Sequence, residues 1–295
     1  MTEIGDPIAK DVFKKEIIKR INSDYNSVIY YLIEEHYTDY LNREDLLLSI
    51  LDPMDAEVIL KLENKLNSVF KIEKSIDINE NEKFSLSFEK KKIIRLQIVG
   101  HYLKKIPEII KKLDKLKYLY LNGNDFETIP TWIKDFKDIE VLDLSSCELE
   151  SIPESLGYLS SLKKLNLFNN YLTELPDSIG NLVHLEYLSI EQNDASTNFT
   201  IPESIGRLRS LKILYANSSG IEKLPETIGN LVSIKELYLD SNYLKSIPIS
   251  MGDLRNLEIL DLKYNSLKEL NQNIFELPKL KEIKIPKQIK INKKK

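Results

Sequence analysis

Residues 162–170 read LKKLNLFNN, and this stretch decides the fold because its pattern returns along the chain. Residues 116–124 read LKYLYLNGN, so both copies follow LxxLxLxxN and both run on to an Ile-Pro or Leu-Pro pair. A short pattern that recurs at a fixed interval predicts stacked copies of one supersecondary unit. A single copy cannot bury its apolar edge alone, so its stability comes from its neighbours.

The repeat has a regular length with one exception. Complete units begin at Ile93, Leu116, Ile139, Leu162, Leu185, Leu211, Ile234 and Leu257, and a partial ninth begins at Leu280. The spacing of these starts is 23 residues except for the unit at Leu185, which has 26. Its extra residues lie between Asn193 and Ile201 and predict a bulge at the rim. Such an insertion marks a binding edge or simple drift, and the sequence leaves both open.

Each position of the unit has a physical role. The first, fourth and sixth positions are Leu or Ile almost throughout, and the alternation predicts a strand with one buried face. The ninth position is usually Asn, as in Asn170, and predicts a ladder of buried amides that bond backbone groups beyond the strand. Cys147 and Ser219 occupy that ninth position, so we predict them to be ladder residues. Proline at the fifteenth position and glycine four residues later, as in Pro176 and Gly180, predict a short turn-like return segment.

The segment LPDSIGNL at residues 175–182, followed by the strand pattern, resembles the 23-residue leucine-rich repeats of the Ras-suppressor and plant intracellular Ras-group proteins. That resemblance implies an α/β leucine-rich repeat solenoid, or horseshoe, with a parallel sheet on its concave side. It also implies that a protein partner binds on the concave face. Some members of that group act in small-GTPase signalling, so the resemblance implies regulation of a small GTPase as an alternative function.

The ends of the chain lie outside the repeat. We predict a mainly helical region at 1–83, the solenoid at 84–279 with a hairpin cap and eight units from residue 93, and a C-terminal cap with a basic tail at 280–295. The predicted helices cover 11–21, 25–41 and 56–67, the last with Asp55 as its N-cap. Residues 84–88 alternate like a strand and predict a hairpin with 93–98. The helical region is either a cap of the solenoid or a separate interaction module.

The amino-acid composition limits the classes of partner that this chain is expected to bind. The formal net charge of −4 argues against a nucleic-acid-binding surface over the whole chain, although residues 277–295 carry eight lysines and one glutamate. The lysine tail at 287–295 leaves contact with an anionic membrane or nucleic acid as a further alternative. The single cysteine excludes an intramolecular disulfide, and the N-terminus lacks the pattern of a secretory signal. We therefore expect a cytoplasmic protein.

The third, fifth, seventh and eighth positions should face solvent on the concave side. Strands about 4.8 Å apart should make Tyr215 and Tyr238 neighbours, with Tyr187 and Ile213 beside them. Exposed apolar groups with a polar rim are typical of contact sites, here for a partner with an apolar anchor and some Lys or Arg. Aromatic residues also favour strands for structural reasons alone. The candidate partner-binding residues are Tyr118, Tyr120, Phe168, Tyr187, Ile213, Tyr215 and Tyr238, with the carboxylates Glu191, Glu236, Asp240 and Asp261.

Motifs of catalysis are missing from the sequence. It contains no GxxxxGK[ST] phosphate loop and no GxSxG elbow, and neither His101 nor His184 has a neighbouring cysteine or an evident ligand partner at metal spacing. Asp143 and Asp261 are expected to be exposed but too far apart to act as an acid–base pair. We therefore predict a non-catalytic protein–protein interaction scaffold or adaptor, without cofactor, metal or small-molecule substrate. A glycan-binding role for the tyrosines fits poorly with a cytoplasmic location.

Overall fold

The computed structural model describes residues 7–22, 25–74, 82–193 and 198–289. The chain divides into two compact units. The first consists of Met1–Ile98 with Pro107–Tyr118, and the second of Val99–Ile106 with Leu119–Lys295. The predicted domain limits at 83/84 and 279/280 stay a prediction.

The first unit is rich in helix, as predicted. Its helices are α1 (Pro7–Ile21), α2 (Asn26–Glu34), α3 (Arg43–Ile50) and α4 (Pro53–Leu66), with short 3₁₀ helices at Tyr37–Tyr40 and Glu108–Lys112. The single helix predicted over 25–41 is wrong. His36 adopts a left-handed conformation with φ of 61°, which turns the chain after α2.

Helix capping also differs from the prediction. Asp52, not Asp55, caps α4 by accepting a hydrogen bond from the Met54 backbone N–H at 3.0 Å. Asp55 lies in the first turn of α4, is fully buried, and accepts from the Ile93 backbone N–H at 2.7 Å. Helix α3, which was not predicted from the sequence, follows Asn42, whose side chain accepts from the Asp45 N–H.

Three strands complete the first unit: β1 (Lys71–Ile72), β2 (Phe84–Glu89) and β3 (Lys92–Ile98). Strands β2 and β3 pair antiparallel, which confirms the predicted hairpin. Its turn contains Lys90 and Lys91, both with positive φ. Strand β1 pairs in parallel with β2 and was not predicted.

The repeats form a ladder of short strands in chain order. These strands are β4 (Tyr118–Tyr120), β5 (Val141–Asp143), β6 (Lys164–Asn166), β7 (Tyr187–Ser189), β8 (Ile213–Tyr215), β9 (Glu236–Tyr238), β10 (Ile259–Asp261) and β11 (Glu282–Lys284). From β5 to β11 each strand pairs in parallel with the next. The predicted α/β repeat solenoid with a parallel sheet, preceded by a helical region, is therefore confirmed.

A 3₁₀ helix follows the proline in the return segment of the units. In the second unit these helices are Thr131–Asp135, Glu154–Tyr158, Asp177–Asn181, Glu203–Arg207, Glu226–Asn230, Ile249–Asp253 and Gln272–Glu276. Neighbouring return segments approach closely, because a Cβ added at Gly180 would lie 2.5 Å from the Ser204 carbonyl oxygen. Glycine is required there by the packing of one unit on the next.

The predicted amide ladder is present. The Asn170 Oδ1 accepts from the backbone N–H groups of Cys147 and Leu149, both at 3.0 Å. Its Nδ2 donates to the carbonyl oxygens of Leu144 and Leu167, also at 3.0 Å. One side chain thus bonds the backbone of two successive units where the chain has left the sheet.

Two predicted features fall partly outside the described residues. Positions 194–197 of the predicted bulge and positions 290–295 of the lysine tail are not described. After the bulge, Phe199 is buried and Thr200 bridges in parallel to Glu174. Within the described ranges, none of the helices has the length and apolar character needed to cross a membrane.

Candidate binding face of the parallel sheet

The register of the sheet places equivalent positions of successive units side by side. Tyr187, Ile213 and Glu236 form one row across β7, β8 and β9. In the next row, Tyr215 of β8 pairs with Tyr238 of β9. Strands in parallel register repeat every 4.8 Å or so, which brings large side chains on neighbouring strands into contact.

Tyr187, Tyr215 and Tyr238 form what we call the tyrosine cluster. The ring centroids of Tyr215 and Tyr238 are 4.7 Å apart with an interplanar angle of 3°, so these rings are stacked. Tyr187 tilts toward Tyr215, with centroids 5.6 Å apart. All three residues are half-buried. The predicted neighbourhood of Tyr215 and Tyr238, with Tyr187 beside them, is confirmed.

Burial and nearby carboxylates keep the phenols of the cluster protonated. Burial raises the pKa of Tyr238 to about 12, helped by its hydrogen bond to Glu236 Oε2 at 3.0 Å. Burial also raises the pKa of Tyr187 to about 12, with further contributions from Tyr215 and Glu191. The pKa of Tyr215 is raised by burial and then by Glu236 and Glu191. The cluster is therefore a neutral aromatic surface next to negative charge.

Only some of the four carboxylates of the predicted acidic rim are accessible to a partner. Glu191, Glu236 and Asp240 are half-buried on this part of the sheet. Asp261 is 7% exposed, because its Oδ1 accepts from the Lys263 backbone N–H at 3.1 Å and its Oδ2 lies 3.2 Å from Lys284 Nζ. The prediction that Asp261 is exposed is therefore wrong.

Asp143, also predicted to be exposed, is buried for the same reason. Its Oδ1 accepts from the Ser145 backbone N–H at 2.9 Å and from the Ser145 hydroxyl at 2.6 Å. Its Oδ2 accepts from Asn166 Nδ2 at 3.0 Å. A carboxylate at the fifth position reaches the N–H two residues later, where the chain turns away from the sheet. Because the Asp143 carboxylate makes these local bonds, it is not the exposed surface charge that was predicted from the sequence.

A cation lies at one side of the tyrosine cluster. Lys164 of β6 is the register partner of Tyr187, and its Nζ lies 4.8 Å from the centre of the Tyr187 ring. This distance is within the range of a cation–π contact. Lys164 was not among the candidate residues predicted from the sequence. Its position in the same row as Tyr187 is the signal that could have identified it.

The other candidate residues lie apart from the cluster. Phe168 is half-buried after β6, and its backbone N–H donates to Asn166 Oδ1 at 3.2 Å. Tyr120 is buried on β4, and β5 and β6 separate β4 from β7 in the strand order. Tyr118 belongs to the first compact unit. The structure thus brings together Tyr187, Ile213, Tyr215, Tyr238 and Glu236.

Groups that could support other chemistry are engaged in the fold. Cys147 is buried, and its thiol donates to the carbonyl oxygens of Leu121 at 3.2 Å and Ser145 at 3.4 Å. Burial raises the pKa of this thiol to about 12, so Cys147 is the ladder residue that the repeat predicted. Among the described residues, no group of three or more His, Cys, Asp or Glu side chains is placed to hold a metal ion.

Comparison with known proteins agrees with this architecture. A family profile described as leucine-rich repeat region matches residues 65–200 and 131–246, and a second, described as leucine rich repeat, matches residues 232–286. No curated protein matches the chain.

Similar solved structures share the fold. The ectodomain of the Arabidopsis receptor kinase HAESA, in complex with an N-terminally extended IDA peptide hormone, is 28% identical, with a TM-score of 0.61 over 71% of this chain and 37% of the receptor chain. The ectodomain of GASSHO1/SCHENGEN3 from Arabidopsis thaliana, in complex with CASPARIAN STRIP INTEGRITY FACTOR 2, is 28% identical, with a TM-score of 0.57 over 68% of this chain. This chain spans 24% of the length of the GASSHO1/SCHENGEN3 ectodomain, so both receptors are much longer.

A bacterial structure is covered more completely. Internalin C2 from Listeria monocytogenes is 20% identical to this chain, with a TM-score of 0.58. The match covers 81% of this chain and 96% of that protein. At this identity the similarity supports the fold alone.

Proposed function

Because the chain belongs to the leucine-rich repeat family, we propose that it is a non-catalytic scaffold or adaptor that binds a protein partner through the tyrosine cluster. Leucine-rich repeats serve as protein–protein interaction scaffolds, and solenoid sheets provide extended binding surfaces. The observation that carries the proposal is the contact of three half-buried tyrosines on neighbouring strands beside Glu236. Tyrosine is enriched in the cores of protein interfaces.

The charges around the cluster define the partner more closely. Glu191 and Glu236 raise the pKa of Tyr215, so the surface beside the cluster is negative. Lys164 covers the opposite side of Tyr187. A partner with an apolar or aromatic side chain against the rings, and with Lys or Arg beside that side chain, complements this pattern. The IDA peptide hormone bound to the HAESA ectodomain supports a polypeptide ligand.

Loss of a specific partner on removal of the cluster tests the proposal. The full chain and a variant with Tyr187→Ala, Tyr215→Ala and Tyr238→Ala are used to capture proteins from a native lysate, and both are checked by circular dichroism. The matched control replaces three tyrosines outside the cluster, Tyr102, Tyr171 and Tyr243, which are 75%, 56% and 50% exposed. We expect the control and the wild type to retain the same partner and the cluster variant to lose it. Equal capture by all three proteins would contradict the proposal.

The resemblance to Ras-group repeats supports a second candidate, regulation of a small GTPase. Its test is binding of the full chain to small GTPases loaded with GDP or with a non-hydrolysable GTP analogue. A difference of at least tenfold in affinity between the two nucleotide states is expected for a regulator. Equal affinity leaves the scaffold role as the function of the tyrosine cluster.

The lysine-rich C-terminus supports a third candidate, contact with an anionic membrane or nucleic acid. Such binding must weaken with salt and disappear when residues 287–295 are deleted. A cytoplasmic location is also a proposal. It is supported by the use of the single cysteine as a buried ladder residue, and subcellular fractionation tests it.

A further inference from the structure

The first unit contains a cleft that the tyrosine cluster does not involve. Its volume is about 720 Å³, within the roughly 300–1,000 Å³ typical of ligand sites. Helix α2, the 3₁₀ helix at Tyr37–Tyr40 and strand β1 contribute its lining. Its buried apolar lining includes Tyr30, Leu46, Phe70 and Ile72.

One side of the cleft is the edge of the sheet, because among the described strands β1 is the outermost and pairs with β2 alone. The Glu73 backbone N–H donates to the Leu86 carbonyl oxygen of β2 at 2.9 Å. Backbone groups of successive residues in a strand point to opposite sides, so those of Lys71 and Glu73 face β2. The N–H and C=O of Ile72 therefore face away from the sheet, as do those of Phe70.

Side chains occupy this edge at Phe70. The Phe70 N–H donates to Glu63 Oε1 at 2.9 Å, and the Phe70 carbonyl oxygen accepts from Arg43 Nη2 at 2.7 Å. Arg43 and Glu63 also form a salt bridge of 2.5 Å, so the pair replaces a neighbouring strand at this residue. Two residues further on, no described residue bonds the outward N–H or C=O of Ile72. Among the described residues, the edge is thus closed at Phe70 and without a hydrogen-bond partner at Ile72, which lines the cleft.

We propose that this cleft binds an extended segment of a partner protein, which adds a short strand to the edge of β1 by pairing with the N–H and C=O of Ile72. An unpaired edge is a template for strand addition, in which main-chain hydrogen bonds give affinity and side-chain pockets give specificity. The apolar lining accepts an apolar side chain of the segment. The site is separate from the tyrosine cluster and does not depend on its function.

Charge at the cleft does not favour one sign. Lys71 is paired with Glu82 at 2.5 Å, and Asp39 lies 3.2 Å from His36 Nδ1. The exposed Glu34 and the exposed Lys74 both line the cleft. The segment is therefore defined by its extended backbone and its apolar side chain, not by a charged residue.

Selection of peptides on a protein without the tyrosine cluster tests the proposal. Random twelve-residue peptides displayed on phage are selected on the full chain carrying Tyr187→Ala, Tyr215→Ala and Tyr238→Ala. We expect the selected peptides to share an apolar residue that enters the apolar lining of the cleft. Their binding should slow hydrogen exchange of the Ile72 amide at least tenfold. A failure to select any peptide, or no protection of Ile72, overturns the proposal.

A matched pair of variants tests the role of the Ile72 backbone. Ile72→Pro removes the outward donor but no hydrogen bond to β2, and edge strands tolerate proline. Ile72→Ala removes a similar part of the side chain and keeps the donor. The proline variant should bind the peptide at least tenfold more weakly than the alanine variant, and equal affinities overturn the proposal.

N-methylation of the peptide provides the same test without a change in the protein. Strand addition requires that methylation of alternate amides weakens binding at least tenfold and that the other amides tolerate it. Uniform tolerance along the peptide rules out backbone pairing. Neither outcome changes capture of a partner by the tyrosine cluster, so the two proposals fail independently.

Discussion

The rings of Tyr215 and Tyr238 stack with their planes 3° apart and their centroids 4.7 Å apart, although the two residues belong to successive repeats. The parallel register makes them cross-strand partners. The same contact therefore joins neighbouring units and forms part of the proposed binding surface. The effect of a substitution on stability can be measured separately from its effect on binding, because an unfolding experiment needs no partner.

The stacked pair should be coupled energetically. In a double-mutant cycle with Tyr215→Ala and Tyr238→Ala, we expect an interaction free energy of about 0.5–1.5 kcal/mol, the usual value of an aromatic pair beyond its buried area. Urea unfolding measures it. Tyr187→Ala with Tyr238→Ala is the control cycle, because β8 lies between these residues, and its effects should add. Additive effects of Tyr215→Ala and Tyr238→Ala would show that the stacking of the two rings contributes nothing to the free energy of unfolding.

Stability should fall at high pH because of this cluster. Tyrosine ionises near pH 10 in an unfolded chain, whereas the pKa values of Tyr187 and Tyr238 in the fold are raised to about 12. The native state thus holds its protons longer, and the stabilisation, complete below pH 10, is lost as pH rises from 10 to 12. Urea unfolding at pH 8, 10 and 11 should show a steeper loss for the wild type than for a Tyr187→Phe and Tyr238→Phe variant. Parallel pH profiles would refute this assignment.

Cys147 should be unreactive in the native protein. Its buried thiol has a pKa of about 12, so a thiol reagent such as DTNB should react only on unfolding. Cys147→Ser should cost less than about 1 kcal/mol, because Ser219 fills the same ladder position and donates to the Ile190 carbonyl oxygen at 2.7 Å. Asn170→Ala, which leaves the Cys147 and Leu149 N–H groups without their acceptor, should cost about 2–4 kcal/mol. Rapid labelling of folded protein would contradict the buried position.

The two aspartates of α4 should differ in their effect on stability. Asp55→Ala removes the acceptor of the Ile93 N–H and a carboxylate 3.4 Å from Lys92 Nζ, and should cost about 3–5 kcal/mol, as for one partner of a buried pair. Asp52→Ala removes a helix cap and should cost about 1 kcal/mol. Thermal and urea unfolding compare them. A larger effect of Asp52→Ala than of Asp55→Ala would contradict the role of Asp55 as a buried hydrogen-bond acceptor.

Much of the fold could be predicted because repeats convert sequence spacing into distance. Once the unit begins at Leu162 and again at Leu185, equivalent positions must lie one strand apart. This is why the contact of Tyr215 with Tyr238, the ladder position of Cys147 and the strand positions could be predicted without coordinates. The hairpin before the first unit was predicted for a similar reason, since its alternation is a local signal.

Sequence alone determined the solenoid, its buried rows and the adjacency of the tyrosines, because these depend on periodicity. The tertiary structure decided the features that depend on a distant or competing partner. Asp55 is buried where it accepts a hydrogen bond from the Ile93 N–H, 38 residues away. The carboxylates of Asp143 and Asp261 accept hydrogen bonds from backbone N–H groups in the turns after their strands and are therefore not exposed. The Arg43–Glu63 pair closes the sheet edge at Phe70, whereas no described residue bonds the outward backbone groups of Ile72. Each of these is a choice between hydrogen-bond partners, and such a choice is fixed only when the chain brings the partners together.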